Sequence, residues 1–503
     1  MLSAVSILLR GVAVSFNAYV NRKIGVESMG LFTLVMSVYG FAVTVALSCV
    51  NLASVRLTSE RCAKLDGADA ASWRFAMRRV MRAVCLYSLL FGTASGAAVE
   101  LSAGFIARRL LGDVRTLSSV RALGFSLPAI SLSSALSGYF TGIRKVSKNA
   151  AASVAEQFVK IAVTSAALCM ILPGNVESAC FAVVGGSAIS EAWTLLLHFA
   201  IWIFDTKRPA GTKPGKRSVR LDTGFRDAAN IALPSALGTY ARQGLTTLEH
   251  LAIPRGLVKS GLTREGALSV YGLLQGIAFP LVMFPYAVIG SFTSLLIPET
   301  AELRERGDKE GIRRTVGAVT RVSALFSLAA FGIYVNYSDA LGLLVYRSEQ
   351  AAVYTLLLGA LVPFMYLDTA VDALLKGLGE QVWCMKVNMA DAGAGLILVM
   401  LLTPRMGIGG YILTIWLCEV GNLAASYLRL SRVAGAGLTE TLRDYIRPIS
   451  AAGAMTLARI FLMRGWAPVP SMLVFASGYA VLALYPIKKG KPIVRKVSRE
   501  SGG

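Results

Sequence analysis

The chain has 503 residues, of which 55% are hydrophobic and 16% are charged, and its mean hydropathy is +0.59. Roughly a quarter of the residues are charged in an average soluble protein, so this composition indicates a polytopic membrane protein instead. The net charge of +22 does not indicate nucleic-acid binding, because the basic residues lie between apolar segments and not on one soluble face. Seven cysteines without a CxxC pair and only two histidines argue against a disulfide framework, a metal site or a bound cofactor.

Fourteen apolar segments predict an all-α protein with about fourteen transmembrane helices. They lie at about residues 2–20, 29–53, 82–106, 117–140, 150–172, 179–204, 228–253, 268–297, 315–336, 353–375, 383–403, 409–428, 446–463 and 469–486. We interpret the first segment as a membrane span and not as a signal peptide. Arg10 interrupts its apolar run, and no A-x-A cleavage pattern precedes Asn21.

The distribution of basic residues predicts the orientation of the chain. With the N-terminus inside, the inner loops hold 34 Lys and Arg residues and the outer loops hold 11. Cytoplasmic loops carry the excess of basic residues, so both termini are predicted to be cytoplasmic.

A basic linker, residues 205–227, divides the chain after the sixth span. Residues on its two sides recur at a nearly constant offset: Pro128, Gly142 and Glu156 recur as Pro363, Gly377 and Asp391, and Phe32 and Glu60 recur as Tyr271 and Glu299. The recurrence predicts two pseudo-symmetric six-helix lobes, residues 1–204 and 228–437, with a cleft between them. Residues 438–503 are predicted to add the last two spans and a basic cytoplasmic tail.

The eighth span contains the stretch from Tyr271 to Glu299, which has no Lys or Arg but is interrupted by glycines and by Pro280 and Pro285. Membrane helices tolerate such interruptions where neighbouring helices or water satisfy the freed backbone groups. Two alternatives remain open, a kinked packing helix and a helix that lines a cavity. Gln275 is a candidate cavity residue in this stretch.

The seventh span carries a polar stripe. Five polar residues follow one another at spacings of four and three, which places them on one helical face. They are Ser235, Thr239, Arg242, Thr246 and Glu249. A charged residue within the membrane is costly, so Arg242 is a functional candidate. Its guanidinium group can donate two parallel hydrogen bonds to a diphosphate. The alternative is a local ion pair between Arg242 and Glu249, two turns away.

The first span has a similar face, formed by Ser6, Arg10, Asn17 and Asn21. The same two alternatives apply to Arg10, a phosphate ligand or a locally paired charge. Arg10 and Asn17 are the candidate substrate-binding residues on this span.

Acidic residues lie in several other spans. Glu156 and Lys160, and Asp372 and Lys376, are spaced for ion pairs one helical turn apart. Asp368 has no obvious partner and is a candidate site for a coupling ion or proton.

Four stretches resemble the stage V sporulation protein B family of the MATE-like (MOP) exporter superfamily. They are Lys23-Ile24-Gly25-Val26-Glu27-Ser28-Met29-Gly30-Leu31, Gly138-Tyr139-Phe140-Thr141-Gly142, Leu251-Ala252-Ile253-Pro254-Arg255, and the eighth span with Ile297-Pro298-Glu299. The resemblance implies that spans one, two, seven and eight line a central cavity. It also implies a flippase for a polyprenyl-diphosphate-linked saccharide, of the lipid II or polysaccharide-unit type, in cell-wall, spore-cortex or polysaccharide biogenesis. Transport would proceed by alternating access, with the substrate's lipid tail in the membrane lipid and with coupling to Na⁺, H⁺ or the membrane potential.

Two other functions fit the sequence less well. A cation-coupled multidrug exporter of the same superfamily commonly has an acidic residue in its first span, whereas residues 2–20 contain only Arg10 as a charge. A non-transporting scaffold for envelope or sporulation enzymes would leave the polar stripes without a purpose. An enzyme is not expected, because no hydrolase elbow, P-loop or HExxH motif is present.

Overall fold

A computed structural model of the protein describes residues 2–64, 70–170, 176–207, 225–346, 348–435 and 438–484. Within these ranges, it does not describe the side chains at 2–7, 10, 70–71, 176, 206–207, 287, 291, 294–295, 345–346 and 438–442. The described residues form helices and turns and contain no strand, which confirms the predicted all-α fold class.

Seventeen α-helices follow one another in the described part of the chain. They are α1 (Leu2–Leu47), α2 (Val50–Lys64), α3 (Ala70–Phe105), α4 (Leu117–Gly142), α5 (Val146–Cys169), α6 (Val176–Lys207), α7 (Phe225–Lys259), α8 (Arg264–Tyr271), α9 (Phe279–Val282), α10 (Tyr286–Glu305), α11 (Lys309–Leu341), α12 (Glu349–Gly359), α13 (Val362–Gly377), α14 (Gln381–Met406), α15 (Ile408–Ala434), α16 (Leu438–Leu462) and α17 (Pro468–Leu484). Short π-helical segments lie at Ile106–Leu110, Gly272–Ala278 and Gly342–Tyr346, and a 3₁₀ turn lies at Val114–Thr116.

Nine of the described helices are long and apolar enough to cross a membrane, or ten if the bent pair α12 and α13 counts as one span. One of the nine runs over Gly11–Lys64, and its 54 residues are about 80 Å long at the usual helical rise, which is enough for two crossings. This stretch comprises most of α1 and all of α2, and it covers the second half of predicted span one and all of predicted span two. The remaining predicted spans correspond to single helices, except that α8 to α10 form the eighth and α12 with α13 the tenth.

The turn between the first two spans is reduced to a kink at Gly25. The helix α1 is continuous on both sides of this residue, but the φ of Gly25 is 81° and its ψ is 169°. A side chain at this φ is strained, so glycine is the residue suited to this bend.

The eighth span is broken, as its glycines and prolines predicted. α8 continues into the π-helical segment Gly272–Ala278 and then into α9, a helix of only four residues. Residues 283–285 separate α9 from α10. Helix-breaking residues therefore interrupt the apolar stretch at two places, in the π segment and before Tyr286.

The chain divides into two compact units. The first contains Met1–Gly276 and Ala392–Tyr411, and the second contains Ile277–Asp391 and Ile412–Gly503. The two six-helix lobes were predicted from recurring residues, whereas these units are defined by contacts. The lobes therefore stay a prediction. Residues 208–224 of the predicted linker and 485–503 of the predicted tail lie outside the described residues.

In the first unit, α2, α3, α4 and α7 meet in an apolar cluster. Alanines form the contribution of α7 and allow close packing, as small residues do between membrane helices. The buried members of the cluster are Val50, Ala53, Leu57, Val80, Val84, Tyr87, Ala135, Ala228, Ala229 and Ala232.

In the second unit, α10, α11 and α13 form one buried cluster, which includes Leu296, Val316 and Leu374. The predicted last two spans, α16 and α17, pack on α11 in a second cluster, in which Phe475 is fully buried. The second unit therefore has a core of its own.

Candidate functional site

The predicted polar stripe lies on a single continuous helix, α7. Ser235, Thr239 and Arg242 are exposed, and Thr246 and Glu249 are half-buried. All five side chains share the face that their spacing predicted, because α7 runs unbroken from Phe225 to Lys259.

The threonine hydroxyls of the stripe donate to their own helix. Thr239 Oγ1 donates to the carbonyl oxygen of Ser235 at 3.0 Å, and Thr246 Oγ1 donates to that of Arg242 at 3.1 Å. A hydroxyl has one proton to donate and two lone pairs to accept with. In this arrangement these threonines present acceptors, and Arg242 is the donor between them.

The neighbouring face of α7 packs within the first unit. Tyr240 is hydrogen-bonded to Ser48, and Thr247 Oγ1 donates to the carbonyl oxygen of Ser37 at 3.1 Å. A Cβ added to Gly244 would lie 3.5 Å from the ring of Phe41. These contacts hold α7 against the second half of α1 and the turn that follows it, and leave the stripe uncovered by them.

Arg242 forms no ion pair with any described residue, including Glu249. The carboxylate of Glu249 instead lies against α14, where a Cβ at Gly395 would be 3.1 Å from Glu249 Oε2. The local-pair alternative for Arg242 therefore has no ion pair to support it in this structure.

Gln275 lies in the π-helical segment and donates from Nε2 to the hydroxyl of Tyr411. Beside it, the Tyr271 hydroxyl and His250 Nδ1 are 3.1 Å apart, and Tyr271 is buried. Glu249 and Tyr411 lie within electrostatic range of Tyr271. Sequence reasoning missed His250 and Tyr411, although His250 directly follows Glu249 and is one of only two histidines.

The stripe of the first span is described only in part. Arg10 lies in α1, but its side chain is outside the described residues. Asn17 is half-buried, and Asn21 is buried, with an Oδ1 that accepts no hydrogen bond from described residues.

Asp368 lies on α13 in the second unit, in a cluster of acids and amides. Asn422 Nδ2 donates to Asp368 Oδ2 at 3.1 Å, so Asp368 does have a partner, contrary to the sequence-based expectation. The other oxygen, Asp368 Oδ1, is buried and accepts no hydrogen bond from described residues, and the same holds for Asp372 Oδ1 and Asn422 Oδ1. Glu419 lies within electrostatic range.

The two expected ion pairs had different outcomes. Lys376 Nζ lies 3.2 Å from Asp372 Oδ2, which confirms that pair. Glu156 and Lys160 are not within ion-pair distance of each other among the described residues; Glu156 instead lies beside Thr194 on α6.

An ion-pair network that the sequence did not reveal joins three segments of the first unit. Asp113, in the loop between α3 and α4, accepts from Arg115 Nε at 3.1 Å, from Nη2 at 2.8 Å and from the backbone N–H at 3.0 Å. Arg115 Nη2 also lies 3.1 Å from Glu27 on α1, and Arg264 at the start of α8 lies 3.9 Å from Asp113. Burial alone would raise the pKa of the Asp113 carboxyl, but the hydrogen bonds and charge of Arg115, with the charge of Arg264, outweigh burial and lower the pKa.

The sequence motifs that carry the family resemblance lie at helix contacts. A Cβ at Gly272 would be 2.6 Å from the carbonyl oxygen of Val26 and from the backbone nitrogen of Gly30. A Cβ at Gly138 would be 2.6 Å from that of Ser54. Arg255 donates to the carbonyl oxygens of the segment before the α3–α4 loop, at 2.6 and 2.7 Å.

Long apolar helices, a broken eighth span and polar residues at intramembrane positions define a polytopic, all-α membrane protein. A family model described as "Polysaccharide biosynthesis protein" matches residues 1–303, more than half of the chain. The chain belongs to this family.

Two curated relatives come from Bacillus subtilis (strain 168). Stage V sporulation protein B is 24% identical over 402 residues, which cover 78% of this chain and 75% of that protein. Sporulation protein YkvU is 19% identical over 371 residues, which cover 72% of this chain and 78% of that protein. The resemblance described from the sequence motifs is thereby confirmed.

Solved structures share the fold. The lipid II flippase MurJ, in an inward closed conformation, matches with a TM-score of 0.63 and 12% identity, over 97% of this chain and 98% of that chain. An inward-facing multidrug resistance MATE family transporter of the MOP superfamily matches with a TM-score of 0.62 and 16% identity, over 86% of this chain and 95% of that chain. At these identities the likeness shows a common fold.

Proposed function

We propose that the protein is a flippase that moves a polyprenyl-diphosphate-linked saccharide, of the lipid II or polysaccharide-unit type, across the bacterial plasma membrane. It acts in cell-wall, spore-cortex or polysaccharide biogenesis, as a transporter and not as an enzyme. The observation that carries this proposal is Arg242, an exposed guanidinium without an ion pair among the described residues, on the polar stripe of α7 in a member of the polysaccharide biosynthesis family.

The chemistry of the stripe fits the two halves of such a head group. Arg242 donates to the diphosphate through paired N–H groups, with Arg10 as a second donor. Thr239, Thr246 and Glu249 present oxygen acceptors, which suit the hydroxyl and amide donors of a saccharide. Ser235, Asn17 and Gln275 complete the proposed polar lining.

Transport follows alternating access. The saccharide-diphosphate head enters a cleft that opens to the cytoplasm, while the lipid tail stays in the bilayer. The two lobes then move so that the head is exposed on the other side. Both termini are cytoplasmic in this proposal, as the excess of basic residues in the inner loops supports.

Substitution of Arg242 tests the proposal. Arg242→Ala should weaken the binding of a polyprenyl-diphosphate saccharide to the purified protein about ten- to hundredfold, the usual loss for one charge-assisted hydrogen-bonding group. Arg242→Lys should recover part of this loss, because an ammonium group keeps the charge but not the two-pronged geometry. Arg108→Ala, which removes another exposed arginine outside the stripe, should bind like the wild type.

Membrane abundance separates binding from folding. If Arg242 stabilises Glu249 instead, Arg242→Ala will be depleted from the membrane, and a second change, Glu249→Ala, will restore it. Full complementation of a strain that lacks its lipid II flippase by Arg242→Ala would refute the proposal. Drug export without diphosphate binding would favour a multidrug exporter, and neither activity would favour a scaffold.

We further propose Asp368 as the site of the coupling ion, either Na⁺ or H⁺. Three buried oxygens without hydrogen-bond donors among described residues, on Asp368, Asp372 and Asn422, would be satisfied by a cation or by protons. Asp368→Asn should abolish the dependence of transport on the Na⁺ or pH gradient, whereas Asp339→Asn, at an exposed position on α11, should leave it unchanged. Unaltered coupling in Asp368→Asn would refute this assignment.

A further inference from the structure

A groove of about 640 Å³ lies between α3, α4 and α6 in the first unit and shares no lining residue with the stripe of α7. Its floor is apolar, because Met81 and Leu136 belong to a buried cluster. Phe199 on α6 lines the groove and is itself 48% exposed, so the groove is open along one side. Only Arg78 and Arg82, on α3, bring charge to the lining.

A charged depression of about 480 Å³ adjoins this groove. It is lined by Phe75 and by four arginines of the first four turns of α3, Arg74, Arg78, Arg79 and Arg82. Arg78 and Arg82 line both spaces, so the charged depression continues directly into the apolar groove. Together the two spaces have one cationic end and one apolar end.

The two shared arginines are available to an anion. Arg78 and Arg82 are exposed, and neither forms an ion pair with a described residue. Other basic residues near the end of α6 are paired: Lys145 Nζ lies 2.7 Å from Asp205 Oδ1, and Lys148 contacts the same carboxylate oxygen. Like charges one helical turn apart destabilise a helix. A bound anion would relieve the repulsion between Arg78 and Arg82.

We propose that this site binds an anionic glycerophospholipid of the membrane. The phosphate binds Arg78 and Arg82, since guanidinium groups match phosphate geometry, and an acyl chain lies along the apolar groove. A free phosphate ion would leave the apolar end unfilled. Trp202, which also lines the groove, is a residue type enriched at the membrane–water interface, where a phospholipid head group lies.

The location of this site does not depend on the membrane orientation proposed above, but the leaflet from which the lipid comes does. In that orientation the start of α3 is cytoplasmic, and the cytoplasmic leaflet is the one rich in anionic lipid. The occupant is therefore a lipid of the cytoplasmic leaflet, bound in the groove between α3, α4 and α6. It is distinct from the cargo proposed for the stripe of α7.

Native mass spectrometry of the full-length protein tests the site by titration with phosphatidylglycerol and, in parallel, with phosphatidylcholine. The wild type should prefer phosphatidylglycerol. Arg78→Gln with Arg82→Gln should lower that affinity about thirtyfold, the effect expected of two basic side chains next to anionic lipid, and should leave phosphatidylcholine binding unchanged. The matched control is Arg108→Gln with Arg109→Gln, which removes two exposed arginines at the other end of the same helical segment and should keep the preference.

A second variant keeps the charge and fills the groove. Leu195→Trp should also lower phosphatidylglycerol affinity, because it occupies the space proposed for the acyl chain. This variant decides the matter if the arginine variant is not folded. Equal loss in both arginine double variants would mean diffuse surface attraction and would overturn the proposal. Retained preference in Arg78→Gln with Arg82→Gln, or undiminished phosphatidylglycerol affinity in Leu195→Trp, would also overturn it. Displacement of the lipid by undecaprenyl diphosphate, but not by inorganic phosphate, would make the groove part of the cargo path and would overturn it as well.

Discussion

Replacing Asp113 by asparagine should destabilise the first unit measurably, because one carboxylate holds the ends of several segments together. Asp113→Asn keeps the shape of the side chain and removes its charge. In the wild type, three N–H groups of Arg115 make four hydrogen bonds within 3.1 Å to the two carboxylate oxygens. In the variant, an NH₂ group replaces one of these oxygens and faces the Arg115 donors.

The magnitude follows from the burial of the two partners. Asp113 is buried, and losing hydrogen bonds to a buried charged group costs about 1.5–3 kcal/mol. The Arg115 side chain is 40% exposed and keeps Glu27 at 3.1 Å, so water and Glu27 compensate part of the loss. We therefore expect a loss near the lower end, about 1.5 kcal/mol, or roughly tenfold in the unfolding equilibrium.

A double-mutant cycle in mixed micelles measures this loss. The free energy of unfolding is compared for the wild type, Asp113→Asn, Arg115→Gln and the double variant. Because the residues are in contact, the double variant should lose less than the two single variants added together. Strict additivity, or an Asp113→Asn variant as stable as the wild type, would refute the reasoning.

Three further predictions follow from the fold. Gly272→Ala should destabilise the protein by about 1–3 kcal/mol, because its Cβ would lie 2.6 Å from backbone atoms of α1. The control is Gly104→Ala, whose Cβ would have no atom within 4 Å and which should be neutral or stabilising in the same unfolding assay. Because folding lowers the pKa of Asp113, the stabilisation that its charge provides is complete above the unfolded pKa of 3.8 and is lost as the pH falls through the folded pKa. The free energy of unfolding, measured as a function of pH, should therefore show this loss only in acid, and Asp113→Asn should show less of it. In a cysteine-free background, Ser147→Cys should react with an impermeant maleimide only in inverted vesicles and Val114→Cys only in intact cells, and the reverse would overturn the orientation.

Local patterns in the sequence were sufficient where a structural feature depends on neighbours along one helix. Hydropathy located the spans, prolines and glycines located the break in the eighth span, and the four-residue spacing predicted the ion pair between Asp372 and Lys376. The sequence also predicted that the stripe residues of α7 lie on one face, because the periodicity of a single helix is enough to determine which residues share a face.

Contacts between distant segments were out of reach of such patterns. Asn422 is 54 residues from Asp368, and Tyr411 is 136 residues from Gln275, so no spacing rule relates them. The expected pair of Glu156 with Lys160 is not at ion-pair distance, although Lys160 still acts electrostatically on Glu156, and Thr194 on the neighbouring helix α6 lies beside that carboxylate. Tertiary packing can override a pairing that adds only about 0.2–0.5 kcal/mol on an isolated helix.

The close approach of Gly30 and Gly272 has a consequence for how relatives of this protein are sorted. Such glycines are needed because two helix backbones approach each other closely. That requirement depends on helix packing and not on the substrate that is transported. A sequence search that uses motifs with these glycines therefore finds proteins that share the fold, and it gives no information about the substrate that each one transports. Sorting the relatives by the residues at the positions of Arg242 and Glu249 would instead group them by the charge on the stripe that we propose as the binding site.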